Sequence, residues 1–222
     1  MSMSTRPDTH AERETIIRAL TVYLSAPDAD PIVADLHTRF FASASDTWTS
    51  ARESWVSAHG AWQAARGAAE EADDAFDSAL RRLMLALRDD DGRSDSALNQ
   101  SLLGGVSPSQ LMAMPYDEEI ARGRAFLTRL AARADLSPNP DRVEKLSGAI
   151  DGLEAAAGAL ESAWRVRLAA GAAQEQATSA LDTAWGKLVR ALNAVVDPAI
   201  TASVVPRFTR SARKSEPEPL SP

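Results

Sequence analysis

Three histidines are the first place to look for chemistry, and their spacing supports none. His10, His37 and His59 stand far apart in a chain of 222 residues. His10 and Glu14 are four apart, so a helix places them on one face, but no second histidine joins them. No Glu-x-x-His pair of the kind that builds a di-iron centre in a helical bundle occurs. The acidic run Asp89-Asp90-Asp91-Gly92 invites a calcium-loop reading. With Gly92 at the sixth loop position, however, Leu87 and Leu98 fall where carboxylates are required. A solvated helix end is the simpler reading. Gly104-Gly105 lacks the Lys-Ser/Thr that would make it a phosphate loop. No nucleophile elbow, zincin or dinucleotide fingerprint is present. The absence of cysteine excludes disulfides, thiolate zinc sites, iron–sulfur clusters and cysteine nucleophiles. The expectation is a protein without catalysis, with no catalytic, cofactor-binding or metal-binding residue to name and no cofactor.

What remains is contact chemistry. Trp48, Trp55 and Trp62 recur every seven residues and line one helical face. Such a strip can receive a partner helix or an apolar ligand; it can equally be core, with each indole N–H answered inside the fold. Trp164 and Trp185 share the preference for burial. Arg167 and Gln174 place polar groups where the frame described below calls for large apolar ones. Polar residues there weaken packing but can fix register or oligomeric state. Glu70, Glu71, Asp73 and Asp74 are the acids expected to answer Arg167; the alternative is a seam open to solvent. Arg207, Arg210, Arg213 and Lys214 form a small basic cluster, either a docking element or a solubilising terminus. Leu102 to Tyr116, with Met112, Met114 and two glycines, either adapts to a partner or covers a bundle end.

Composition narrows the class. The formal net charge of −7 and pI near 5.0 disfavour a nucleic-acid surface, which needs clustered cations. The same balance disfavours binding to an anionic membrane. No run of eighteen apolar residues suggests a membrane span. No apolar segment with a cleavage site marks the first thirty residues, so a cytoplasmic setting is expected. About a fifth of the chain is alanine, the strongest helix former, and strand-type runs are scarce.

The elements that must position these residues are therefore helices. Ile16, Ile17, Leu20, Tyr23 and Leu24 share a face of a short first helix, after a polar, frayed start. Asp30-Pro31 is a helix start, and nothing interrupts the pattern before Leu87, so one helix is expected over 31–88, roughly 85 Å long. An irregular connector covers 89–114, with one capped turn at Ser107-Pro108-Ser109-Gln110. Pro115 and three acids open a further helix, with Ile120, Leu127, Leu130, Ala131 and Ala134 as its apolar positions, ending near Leu136. Asn139-Pro140 begins a second long helix, ended by Asp197-Pro198. An apolar coda follows over 199–205, and 206–222 reads as a disordered tail.

Both long segments carry the same seven-residue frame. In the first, Phe41, Trp48, Trp55, Trp62, Ala69, Phe76 and Leu83 are each followed three residues later by alanine. In the second, 105 positions on, the series is Leu146, Leu153, Leu160, Arg167, Gln174, Leu181 and Leu188, again with alanine three residues after each. The segment Ala75-Phe76-Asp77-Ser78-Ala79 aligns with Ala180-Leu181-Asp182-Thr183-Ala184. The pattern predicts a tandem duplication of a short-helix/long-helix unit, repeat 1 over about 10–88 and repeat 2 over about 115–196. A second small stripe, Ala61, Ala68 and Ala75 with Ala159, Ala173 and Ala180, suggests that more than two helices meet.

The expected fold is all-α: a single elongated helical-bundle domain over 1–205, antiparallel and coiled-coil-like, with two long alanine-heptad helices and two shorter ones. The expected function is structural or adaptor-like, with a protein partner or self-association, no nucleic acid, no membrane span and no metal. An apolar-ligand carrier with a tryptophan-lined interior is the alternative.

Overall fold

The computed structural model describes residues 2–91 and 95–210. Apart from a two-stranded ribbon, its regular structure is helical: α1 (His10–Leu24), α2 (Pro31–Phe40), α3 (Ala42–Asp91), α4 (Asp95–Leu102), α5 (Pro108–Leu111), α6 (Tyr116–Ala131), α7 (Pro140–Val195) and α8 (Pro198–Val204). Among the described residues, no helix is long and apolar enough to cross a membrane.

Local chemistry sets the helix starts. Thr9 and Glu12 form a reciprocal capping box on α1, and Ser107 and Gln110 form one on α5. Asp30 caps α2 ahead of Pro31, and Asp197 caps α8 ahead of Pro198. The helix expected over 31–88 is broken once. Phe41 leaves helical geometry at φ −127°, ψ −37°, separating α2 from α3. Its ring is buried and packs edge-on against Trp185, at 5.8 Å between centroids, so a core contact coincides with the break.

The chain divides into two compact units. The first comprises Met1–Trp55 and the described part of Ala170–Pro222. Its core gathers Ile16 and Leu20 of α1, Val33 and Leu36 of α2, Phe41, Trp48, and Leu181, Trp185, Leu188 and Leu192 of α7. Val204 and Val205 close it, so the expected coda is a helix built into the core. The described parts of the start and tail carry regular structure that the sequence did not suggest. Strands β1 (Ser2–Ser4) and β2 (Phe208–Arg210) pair antiparallel, Met3 opposite Thr209. The Trp185 indole donates to the Thr5 carbonyl at 2.6 Å, fixing the chain just beyond β1. The rest of the expected tail, including Arg213 and Lys214, lies outside the described residues.

The second unit is Val56–Ala169. Phe76, Leu80, Leu83 and Leu87 of α3 pack with Phe126 and Leu130 of α6 and Leu146, Ile150 and Leu153 of α7. From residue 95 on, the connector carries more helix than expected. Leu98 and Leu102 of α4 and Leu111 of α5 are buried in this core. Gly104 and Gly105 take positive φ, +68° and +90°, which lets the backbone turn between α4 and α5.

The two long helices pack together and run antiparallel in each unit. In the first, Phe41 meets Trp185, Trp48 meets Thr178 and Trp55 lies over Gly171; seven steps up α3 match seven steps down α7. In the second, His59 meets Arg167, Trp62 meets Trp164 and Arg142 donates to the Arg82 carbonyl. All alanines of the frame, from Ala44 to Ala86 and from Ala149 to Ala191, are at least half-buried. The second stripe departs from expectation: Ala61, Ala68, Ala75, Ala159, Ala173 and Ala180 are all exposed. One alanine per heptad is thus covered, and the neighbouring small residues face solvent.

Candidate functional site

The residues singled out from sequence fall into three settings. In the first unit, Trp48 is core: its indole N–H donates to the Thr178 hydroxyl at 3.1 Å and its ring lies 6.0 Å from His10. Gln174 is buried beside it, with Nε2 at 3.5 Å from His10 Nε2. Burial lowers the His10 pKa, aided by the charges of Arg52 and Arg13 and opposed by Glu14. Trp55 is half-buried under the Arg52 guanidinium, 5.2 Å from its ring centre. It borders a cleft of about 970 Å³ shared with Arg6, His10, Gln174, Asp182 and Trp185. Beside that cleft Arg13 holds Asp182 with two hydrogen bonds, at 2.8 and 2.7 Å.

In the second unit, Trp62 and Arg167 come together with two residues the frame did not flag. The Arg167 guanidinium lies 4.5 Å from the Trp62 ring centre and 4.9 Å from that of Trp164, and its Nε donates to His59 Nδ1 at 3.2 Å. Arg167 is thus answered by aromatic faces and an imidazole rather than by the expected acids. Glu70 instead accepts from Arg66 at 2.9 Å. Trp164, expected to be buried, keeps 40 % exposure, and Val166 and Leu168 keep 57 % and 52 %. Beside this platform runs a shallow groove of about 580 Å³ bordered by Tyr116, Ala157, Leu160, Arg66, Glu70 and Glu161.

The third setting was missed from sequence. Asp73 and Asp77, one turn apart on α3, converge with Glu119 from the first turn of α6. One ligand atom from each lies within 4.8 Å of the others. Gly123 creates the approach: a methyl there would meet Phe76 at 3.0 Å and Ile150 at 3.1 Å, so α6 lies directly on both long helices. Glu119 sits one turn before Gly123 and Phe76 lies between the two aspartates, so the same contact drives the acids together. Glu119 is 1 % exposed. Asp73 Oδ1, Asp77 Oδ1 and Glu119 Oε1 are buried without a hydrogen-bond partner. Arg81 reaches only the other Asp77 oxygen, at 3.4 Å. Burial, then the charge and hydrogen bond of Asp73 and the charge of Asp77, push the Glu119 pKa up to about 8. Tyr116 at the edge is also raised, by burial and then by Asp73, Glu70 and Glu119 against Arg66.

Glu119 read from sequence as an acid favouring a helix N-terminus. The available signal was its spacing: it lies on one stripe with Gly123, Phe126 and Leu130, the four buried residues of α6. An acid on the buried stripe of a short helix, opposite two acids one turn apart, is a carboxylate cluster. Among the described residues it is the grouping able to hold a metal ion.

Compared with models of protein families, with curated proteins and with solved structures, the chain matches none.

Proposed function

We propose that this protein acts by helical association rather than catalysis, and that the surface around Trp62, Trp164 and Arg167 takes a second copy of the chain. The observation that carries this reading is the half-covered frame in the second unit. The frame residues Phe76, Leu83, Leu146 and Leu153 are buried there, whereas Trp62, Leu160 and Arg167 are only half-buried. Trp164 and Leu168, one turn apart on α7, present large apolar surface beside them. Trp and Arg are the residue types that anchor interfaces.

The rim argues for a second copy. It interleaves both signs of charge, Arg66 with Glu70 and Arg165 with Glu161, each pair bonded along its own helix. A two-fold contact brings such a rim onto itself, and a rim carrying both signs can set arginine opposite glutamate. A uniformly charged partner would meet like charges. The finer architectural reading is a duplicated short-helix/long-helix unit whose long helices coil around one alanine seam. It is supported by the shared frame and by α1 preceding α3 as α6 precedes α7. A cytoplasmic setting fits a cysteine-free chain.

The carrier reading has less support. The cleft beside Trp55 mixes Trp55, Trp185 and Val189 with Arg6, His10, Gln174 and Asp182, so an apolar cargo there would meet charged and polar groups, and Trp48 is buried. Sedimentation of the wild-type chain beside Trp164→Ala and Leu168→Glu variants tests the association reading: a dimer that both variants dissociate supports it, and a wild-type monomer removes it.

A further inference from the structure

The frame aligns Asp77 with Asp182, and the two units treat this shared position in opposite ways. In the first unit Asp182 receives a guanidinium from the short helix α1: Arg13 binds both oxygens and is itself almost fully buried. In the second unit Asp77 receives from the short helix α6 another carboxylate, Glu119, and Asp73 adds a third. The exposed Arg81 touches one oxygen of Asp77 and leaves the other without a partner.

We propose that Asp73, Asp77 and Glu119 bind a hard divalent cation of the Mg²⁺, Mn²⁺ or Ca²⁺ class, which does in the second unit what Arg13 does in the first. Three observations meet here. Each of the three converging carboxylates has a buried oxygen without a hydrogen-bond partner. Glu119, at 1 % exposure, has no access to water that could solvate its charge. The donor atoms lie within 4.8 Å of one another, no wider than one ion's shell, since two oxygens on opposite sides of Ca²⁺ lie about 4.8 Å apart. All donors are carboxylate oxygens, the set that selects hard cations over zinc or copper. Asp77 keeps 19 % side-chain exposure, which gives an ion and its remaining waters a way in.

A shared proton is the competing solution, and it is incomplete. Glu119 and Asp73 are within hydrogen-bonding reach, so one proton can serve that pair. Asp77 Oδ1 still lacks a partner. A divalent ion answers all three and displaces the proton as it binds.

The test is titration of the full-length chain with Mn²⁺, read by electron paramagnetic resonance and by the thermal midpoint. The wild type should bind one equivalent saturably, release it to excess Ca²⁺ or Mg²⁺, and melt at higher temperature when loaded. Asp77→Asn and Glu119→Gln should each weaken binding at least roughly tenfold and abolish the thermal shift, whereas Asp151→Asn, an exposed acid, should change neither. Both amides relieve like-charge repulsion, so unchanged helical circular dichroism is expected. Absence of saturable binding in the wild type overturns the proposal and leaves the proton-sharing cluster. Equal binding by wild type and both variants also overturns it, by assigning the ion to scattered surface acids.

Discussion

Arg13 and Asp182 join α1 to α7 by a two-point ion pair, Nε to Oδ1 at 2.8 Å and Nη2 to Oδ2 at 2.7 Å, on the wall of the first unit's core. The side chains are 8 % and 18 % exposed, so neither charge is left to water if the other is removed. Arg13→Met should therefore cost about 3–5 kcal/mol in urea unfolding. The double variant Arg13→Met/Asp182→Leu should recover most of that loss, because an apolar pair leaves no orphaned charge. A single variant as stable as wild type would show that the pair is solvated in solution.

The alanine seam makes a contrast that two sets of substitutions resolve. Ala58 and Ala177 are buried on the frame, whereas Ala61 and Ala173 are exposed beside it. Leucine at either buried position should destabilise by about 1–3 kcal/mol through overpacking. Leucine at either exposed position should stay within about 0.5 kcal/mol of wild type. Equal tolerance at all four, measured by chemical denaturation, would remove the close-packed seam.

The long helices were legible because their signal is redundant: every heptad repeats the same instruction, and Asp30-Pro31 and Asn139-Pro140 mark the starts. The break at Phe41 was not, since local spacing continues through it and only its packing on Trp185 sets it apart. The ribbon of Ser2–Ser4 with Phe208–Arg210 was invisible for a related reason: its backbone pairing joins the two ends of the described chain and leaves no periodic trace. Trp62 and Arg167 could be named, but not their pairing, because that depends on the antiparallel register. The carboxylate site depends on how α6 is rotated. Ile120 and Leu127 read as its inner face, yet Gly123 and Phe126 are more deeply buried, and that rotation carries Glu119 inward.

The two units should respond to pH with opposite sign. Between about 4.5 and about 8 the folded chain holds a proton on Glu119 that the unfolded chain releases. Without a cation, this group's contribution to stability falls as pH rises through that window. Asp73 and Asp77 face Glu119 from α3, and Tyr116 adjoins it on α6. In the first unit, burial lowers the pKa of His10 and of His37, the latter opposed by Asp46. The unfolded chain therefore binds protons at these two sites more readily, and stability is lost as pH drops below 6.5. Thermal midpoints in chelator should show the alkaline decline vanish in Glu119→Gln while the acid decline persists. An alkaline decline unchanged by Glu119→Gln would assign it to other groups.

Arg167 offers a separate readout of specificity. Its guanidinium is shared by Trp62 and Trp164 and bonded to His59. Arg167→Leu keeps apolar contact with the rings but removes the cation and the fixed donor. Oligomeric heterogeneity in sedimentation is the expected outcome, with little loss of helical content. If stability rises while the oligomeric state stays single, Arg167 does not set the register of association.

Association itself is tested most directly by sedimentation equilibrium of the wild-type chain over a concentration series, beside the single variant Leu168→Glu. Leu168 is half-exposed, so the variant should fold normally. The expected result is a reversible dimer for the wild type and a monomer for Leu168→Glu, with identical circular dichroism. A wild-type chain that remains monomeric throughout, or a dimer indifferent to Leu168→Glu, would contradict the assignment of this surface.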